Sequence, residues 1–91
     1  MDELKDDILG FEKFRIDEQL FSLLNQLLGG YARLTFRKEK DDKYRVLFEN
    51  RFRELGKLKH DVGRFSYPEK LRNIEKFQHE LNDVLSKEKA L

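Results

Sequence analysis

The sequence predicts an all-α domain: an antiparallel three-helix bundle, with a short helix or arm at its N-terminus. Three observations predict it. Apolar residues recur at helical spacing through three long segments. The composition combines abundant Leu, Glu and Lys with one Pro and five Gly, which favours helices over sheets. The strongest breaks fall between the apolar runs, at Gly63 and at Ser66-Tyr67-Pro68-Glu69. Ninety-one residues make one domain, 1–91, with one modest core.

The N-terminal element covers residues 2–14. Leu4, Ile8, Phe11 and Phe14 keep helical spacing, acids occupy the first turn where the helix dipole favours them, and Gly10 weakens the helix. The first long helix is expected over 17–37, with Asp17 as its N-cap. Leu20, Leu24, Leu27, Tyr31 and Leu34 form its stripe, widened by Phe21, Leu23 and Leu28 to an arc of roughly 160°. Gly29-Gly30 lies inside that stripe. Either the helix stops there or a neighbouring helix approaches closely enough to offset two poor helix formers. The second helix is expected over 41–62. Tyr44, Leu47, Phe48, Phe52, Leu55, Leu58 and Val62 share an arc of roughly 140°, and Gly63 supplies a stop. The third is expected over 67–88, capped by Ser66 with Glu69 as the reciprocal partner and Pro68 in the first turn. Leu71, Ile74, Phe77, Leu81, Val84 and Leu85 make its stripe. An α+β alternative exists: Ala32, Leu34, Phe36 and then Tyr44, Val46, Phe48 alternate, so 31–49 reads as a β-hairpin with its turn at Lys38–Lys43. The turn lacks Gly and Asn, and the helical period continues unbroken to Val62.

The chain has no Cys, which excludes disulfides, thiolate metal sites and a Cys nucleophile. No apolar run approaches the length of a membrane span. The acidic start Met1-Asp2-Glu3-Leu4-Lys5-Asp6-Asp7 does not resemble a signal or transit peptide, so a soluble intracellular location, cytoplasmic by default, is expected. His60 and His79 fall on polar faces at no metal-ligand spacing. Ser22, Ser66, Ser86 and Thr35 lie in no nucleophile motif, and no phosphate-binding glycine motif occurs. No enzyme activity, metal or cofactor is expected.

Charge is polarised along the chain. Residues 1–30 carry three Lys/Arg against seven Asp/Glu, residues 31–64 eleven against six, and residues 65–91 five against five, giving −4, +5 and 0. Two residues in the basic middle are unusual. Arg51 falls at the centre of the second helix's apolar arc, where it needs a carboxylate, an anion, or a path for its head to solvent. Phe36 lies off the stripe beside Arg33, Arg37 and Lys38, as an aromatic at a binding surface does. The candidate partner-binding residues are therefore Arg33, Phe36, Arg37, Lys38, Arg45, Arg51, Arg53 and Lys57. They predict a non-catalytic protein–protein interaction module (an adaptor, accessory subunit or inhibitor) whose partner is another protein or a second copy. The alternative is a nucleic-acid-binding regulator using the basic residues of 33–59. Against it, acids interleave with them, and the pI of about 8.0 is below that of typical binders.

The order of features resembles the LYR-motif family of small three-helix mitochondrial proteins. Leu20-Phe21-Ser22-Leu23-Leu24-Asn25-Gln26-Leu27-Leu28 looks like that family's first helix. Lys43-Tyr44-Arg45 through Arg51-Phe52-Arg53-Glu54 looks like its second, with Phe52-Arg53 at the Phe-Arg position, and Tyr67-Pro68-Glu69-Lys70-Leu71 is similar to the start of its third. Leu23-Leu24-Asn25 stands where Leu-Tyr-Arg would be, so only the Leu of the signature matches. The resemblance implies a mitochondrial location and an acylated carrier protein as partner.

Overall fold

The structure, a computed structural model, describes the backbone of residues 2–39 and 42–90, with side chains from Lys13 onward. Three helices form an all-α bundle: α1 (Asp2–Phe36), α2 (Lys43–Asp61) and α3 (Tyr67–Ala90), with a one-turn 3-10 helix (Val62–Arg64) closing α2. No strand occurs among the described residues, so the hairpin at 31–49 does not form. Helical phase places Tyr31, Leu34 and Phe48 together in the core, whereas a hairpin would have split the stripe that continues to Val62.

The N-terminal element and the first long helix are one helix. Neither Gly10 nor Asp17 interrupts α1, and propagation past a single Gly costs only about 1 kcal/mol. Asp17 is not an N-cap. It lies inside α1, and its carboxylate meets Lys70 Nζ of α3 at 2.7 Å. The expected Leu4-Ile8-Phe11 stripe lies on helical backbone, but those side chains are outside the described residues, as are Lys40 and Asp41.

The other boundaries differ for identifiable reasons. Asp42 caps α2, its side chain accepting from Tyr44 N–H at 2.7 Å. Gly63 does not end α2 through a left-handed cap, since no glycine among the described residues has positive φ. The chain instead tightens into the 3-10 turn, and Phe65 N–H donates to Val62 C=O. Ser66 caps α3 by accepting from Glu69 N–H at 3.4 Å.

The core is one cluster built chiefly from α1. Leu20, Leu23, Leu24, Leu27, Tyr31 and Leu34 meet Phe48, Leu55 and Val62 on one side and Phe77, Leu81 and Val84 on the other. α2 runs antiparallel and α3 parallel to α1, and each packs along it, while the backbones of α2 and α3 scarcely approach one another. The molecule is accordingly long and flat, 61 × 24 × 16 Å. At Gly30 the α1–α3 seam is tightest: a Cβ there would stand 2.6 Å from Val84 Cγ1. Close approach thus accounts for Gly30, while a Cβ on Gly29 would meet only the side-chain end of Arg33, at 3.2 Å.

The apolar stripes are wider than the bundle uses. Tyr44, Leu47 and Phe52 of α2, Leu71 and Leu85 of α3, and Phe14 and Phe21 of α1 remain exposed.

Candidate docking surface

The centre of the bundle resolves the problem posed by Arg51. Its guanidinium forks onto Glu80 of α3, Nε to Oε2 at 2.7 Å and Nη2 to Oε1 at 2.6 Å. A third bond reaches Glu54 Oε2 at 3.0 Å. From α1, the Tyr31 hydroxyl donates to the same Glu80 Oε2 at 2.5 Å, and its ring packs against Phe48 with centroids 6.1 Å apart. One carboxylate thereby joins all three helices.

Each group's titration follows from this geometry. Burial by itself would raise the Glu80 carboxyl, but the bonds from Arg51 and Tyr31 outweigh it and hold the group below its ordinary value. The bond to Glu80 raises Arg51 further. Burial, followed by the bond to Glu80, raises Tyr31. Arg51 is therefore a structural strut with its charge committed inside the protein.

A different part of the middle segment is open. Between the last turns of α1 and the first half of α2 lies a cleft of about 320 Å³, lined by Ala32, Thr35, Phe36, Arg45, Glu49, Phe52 and Arg53. Its surface is mostly apolar. Phe36 is 81% exposed and Phe52 40%, far above what core aromatics show. Thr35 is buried in the cleft wall, and its hydroxyl has no hydrogen-bond partner among the described residues. Such an oxygen costs roughly 1–3 kcal/mol unless something satisfies it. Arg45 lies at the edge, bonded to Glu49 at 3.2 Å and to Lys38 C=O at 3.1 Å. Arg53 pairs with no carboxylate among the described residues.

The remaining expected residues are placed elsewhere. Arg33 pairs with Glu88 of α3 at 2.5 Å, and Arg37 donates to the Glu88 backbone carbonyl at 2.8 Å. Together they fasten the end of α1 to the end of α3. Lys38 Nζ sits 5.7 Å from the centre of the Tyr44 ring. Lys57 is exposed on the outer side of α2. The structure thus brings Phe36, Arg45 and Arg53 together at one surface, and gives Arg33, Arg37 and Arg51 internal contacts.

The chain matches no family model, no curated protein and no solved structure. His60 and His79 are both exposed, and no group of three or more potential metal ligands occurs among the described residues. No described helix is long and apolar enough to cross a membrane.

Residue-type reasoning missed Glu80, Glu88, Thr35, Ala32, Glu49 and Phe52 as contributors to these features, Phe52 having been expected in the core stripe of α2. Glu80 carried a readable signal. It lies three residues after Phe77 and four before Val84, on the inward side of α3's stripe, opposite a helix whose stripe contained an unexplained Arg. Thr35 and Ala32 carried none, because only the placement of α2 makes them a wall.

Proposed function

We propose that this chain is a non-catalytic docking module, an adaptor, accessory subunit or inhibitor, that captures an acidic protein segment bearing a large apolar side chain. The cleft between α1 and α2 carries this reading. An apolar floor with two exposed phenylalanines suits an apolar anchor. The unsatisfied Thr35 hydroxyl offers a buried bond at the wall, and Arg53 and Arg45 at the rim favour carboxylates over cations. The alternative, binding to a nucleic-acid backbone, draws less support, because Arg33, Arg45 and Arg51 already face carboxylates.

Paired affinity capture tests the proposal, using the wild-type chain and a Phe36→Glu, Arg53→Glu variant as baits. A protein retained by the first and lost from the second, with circular dichroism showing both folded, is the expected result. Equal retention on both baits rejects the cleft as the docking surface. Titration with duplex and single-stranded nucleic acid at several salt concentrations provides the contrast. A steep fall in affinity with salt, of the kind counterion release produces, would transfer support to the alternative.

A further inference from the structure

Among the described residues, the Thr35 hydroxyl is the one enclosed side-chain oxygen or nitrogen without a hydrogen-bond partner. Thr35 is 8% exposed, so water offers the oxygen no substitute. A threonine inside a helix ordinarily returns its hydroxyl to the carbonyl one turn back, and Thr35 does not. The guanidinium at the cleft edge is engaged elsewhere, since Arg45 bonds to Glu49 and to the Lys38 carbonyl. For packing alone, valine would fill the same space with no oxygen to satisfy. A hydroxyl at this place is therefore free to serve something outside the chain. It is enclosed in the free protein, but threonine in a helix has two staggered χ1 positions. One rotation re-aims the hydroxyl toward the cleft that Thr35 lines.

The surroundings say what kind of group would meet it. The cleft, about 320 Å³, has room for one large side chain. Phe36 and Phe52 offer that side chain two exposed rings, and ring pairs gain attraction beyond the area they bury. An aliphatic anchor, or phenylalanine, would leave the hydroxyl unpaired. A carboxylate would have to shed its water among phenyl rings. A ring with an N–H or O–H at its edge answers both the apolar walls and the hydroxyl. At the rim, Arg45 already holds Glu49, whereas Arg53 pairs with no carboxylate among the described residues.

We infer that the docked segment is anchored by tryptophan or tyrosine, whose edge N–H or O–H bonds to the Thr35 hydroxyl, with a neighbouring acid of the segment against Arg53. The inference rests on the cleft being a protein-docking surface, and it makes Thr35 the residue that selects the anchor.

Blocked acidic pentapeptides test it, with tryptophan, tyrosine, phenylalanine or leucine at the centre and glutamate on either side. Each is titrated into the full chain up to millimolar concentration and followed by amide chemical shifts. The expected result is a set of shifts confined to the α1–α2 cleft, with the tryptophan and tyrosine peptides bound about three- to tenfold tighter than the phenylalanine one. Thr35→Val should erase that preference and leave the phenylalanine peptide's affinity unchanged, while Thr35→Ser should keep the preference. Arg53→Glu should weaken all four peptides alike. Thr35→Val should also raise the melting temperature, because it removes an unpaired oxygen that the fold does not use.

Equal affinity for the tyrosine and phenylalanine peptides overturns the inference, as does a preference that survives Thr35→Val, or binding outside the cleft. A melting temperature lowered by Thr35→Val overturns it too, since the fold would then be using the hydroxyl. If no peptide moves the cleft resonances while Phe36→Glu with Arg53→Glu still abolishes partner capture, this anchor is wrong and docking stands. If that variant captures as the wild type does, both fail.

Discussion

Gly29→Ala and Gly30→Ala, one residue apart on α1, should shift stability in opposite directions. Replacing Gly by Ala inside a helix gains about 0.8–1.0 kcal/mol in backbone terms. At position 29 the new methyl meets only Arg33 Nη1 at 3.2 Å. That guanidinium is exposed and can move a few tenths of an ångström, so most of the gain should survive. At position 30 the methyl falls 2.6 Å from Cγ1 of Val84, which is fully buried on α3 and has a stiff χ1. Overpacking of this kind costs roughly 1–3 kcal/mol, leaving a net loss of about 0–2 kcal/mol. Gly56→Ala, with nothing within 4 Å, is the open-space control and should stabilise by up to about 1 kcal/mol. Thermal and urea denaturation should therefore place Gly30→Ala several degrees below the other two, at about 4–8 °C per kcal/mol for a domain this size. A Val84→Ala background should remove most of the penalty at position 30 and leave position 29 unchanged. If Gly30→Ala stabilises as much as Gly56→Ala, α1 and α3 are not in close backbone contact there.

Removing one member of the Arg51–Glu80 pair by Arg51→Ala or Glu80→Ala should cost about 1–3 kcal/mol. That is below the 3–5 kcal/mol of a fully buried pair, because Arg51 is about one-third exposed. Arg51→Met with Glu80→Leu should recover most of the loss, and a double-mutant cycle from urea titrations measures the coupling. Glu80 is held below its ordinary value of 4.5. Its contribution is therefore complete above that pH and lost as pH falls through the lower folded value. Tyr31 is raised above its ordinary 10.0, so its contribution is complete below that pH and declines above it. Stability profiled against pH should show both limbs, and Glu80→Gln should flatten the acid one. Ser66→Ala should cost about 0.5–1 kcal/mol by thermal denaturation, the low end for an N-cap, because its bond is long at 3.4 Å.

The bundle was legible because its stripes are periodic. Leu20, Leu24, Leu27 and Leu34, then Leu55 and Val62, then Phe77, Leu81 and Val84 are all buried where helical spacing put them. The start of α1 was misread because Asp17 and Gly10 are local signals, and a long packed helix overrides local signals worth about 1 kcal/mol each. Gly63 misled for a similar reason: a 3-10 turn satisfied the end of α2 without a left-handed residue. At the site, Phe36 and Arg51 were both conspicuous, but for opposite reasons. Phe36 is conspicuous because nothing covers it, Arg51 because Glu80 does. One sequence gives no means of telling those apart, since the difference lies in which residue of another helix comes opposite.

The Tyr31–Glu80–Arg51 node has a consequence for alignment. Leucine stripes on two helices mesh nearly as well after one slides a full turn, about 5.4 Å, along the other. A planar guanidinium gripping a carboxylate through two parallel bonds has no such second position. α3 is also held along α1 by the Asp17–Lys70 and Arg33–Glu88 pairs, whereas α2 and α3 share so little backbone contact that this fork is what fixes the position of α2 relative to α3. If it is replaced by aliphatic side chains, the chain should remain helical and collapsed but gain freedom to slip between neighbouring alignments. Broadened methyl resonances at Leu55 and Leu81, with melting temperature little changed, would record that slippage.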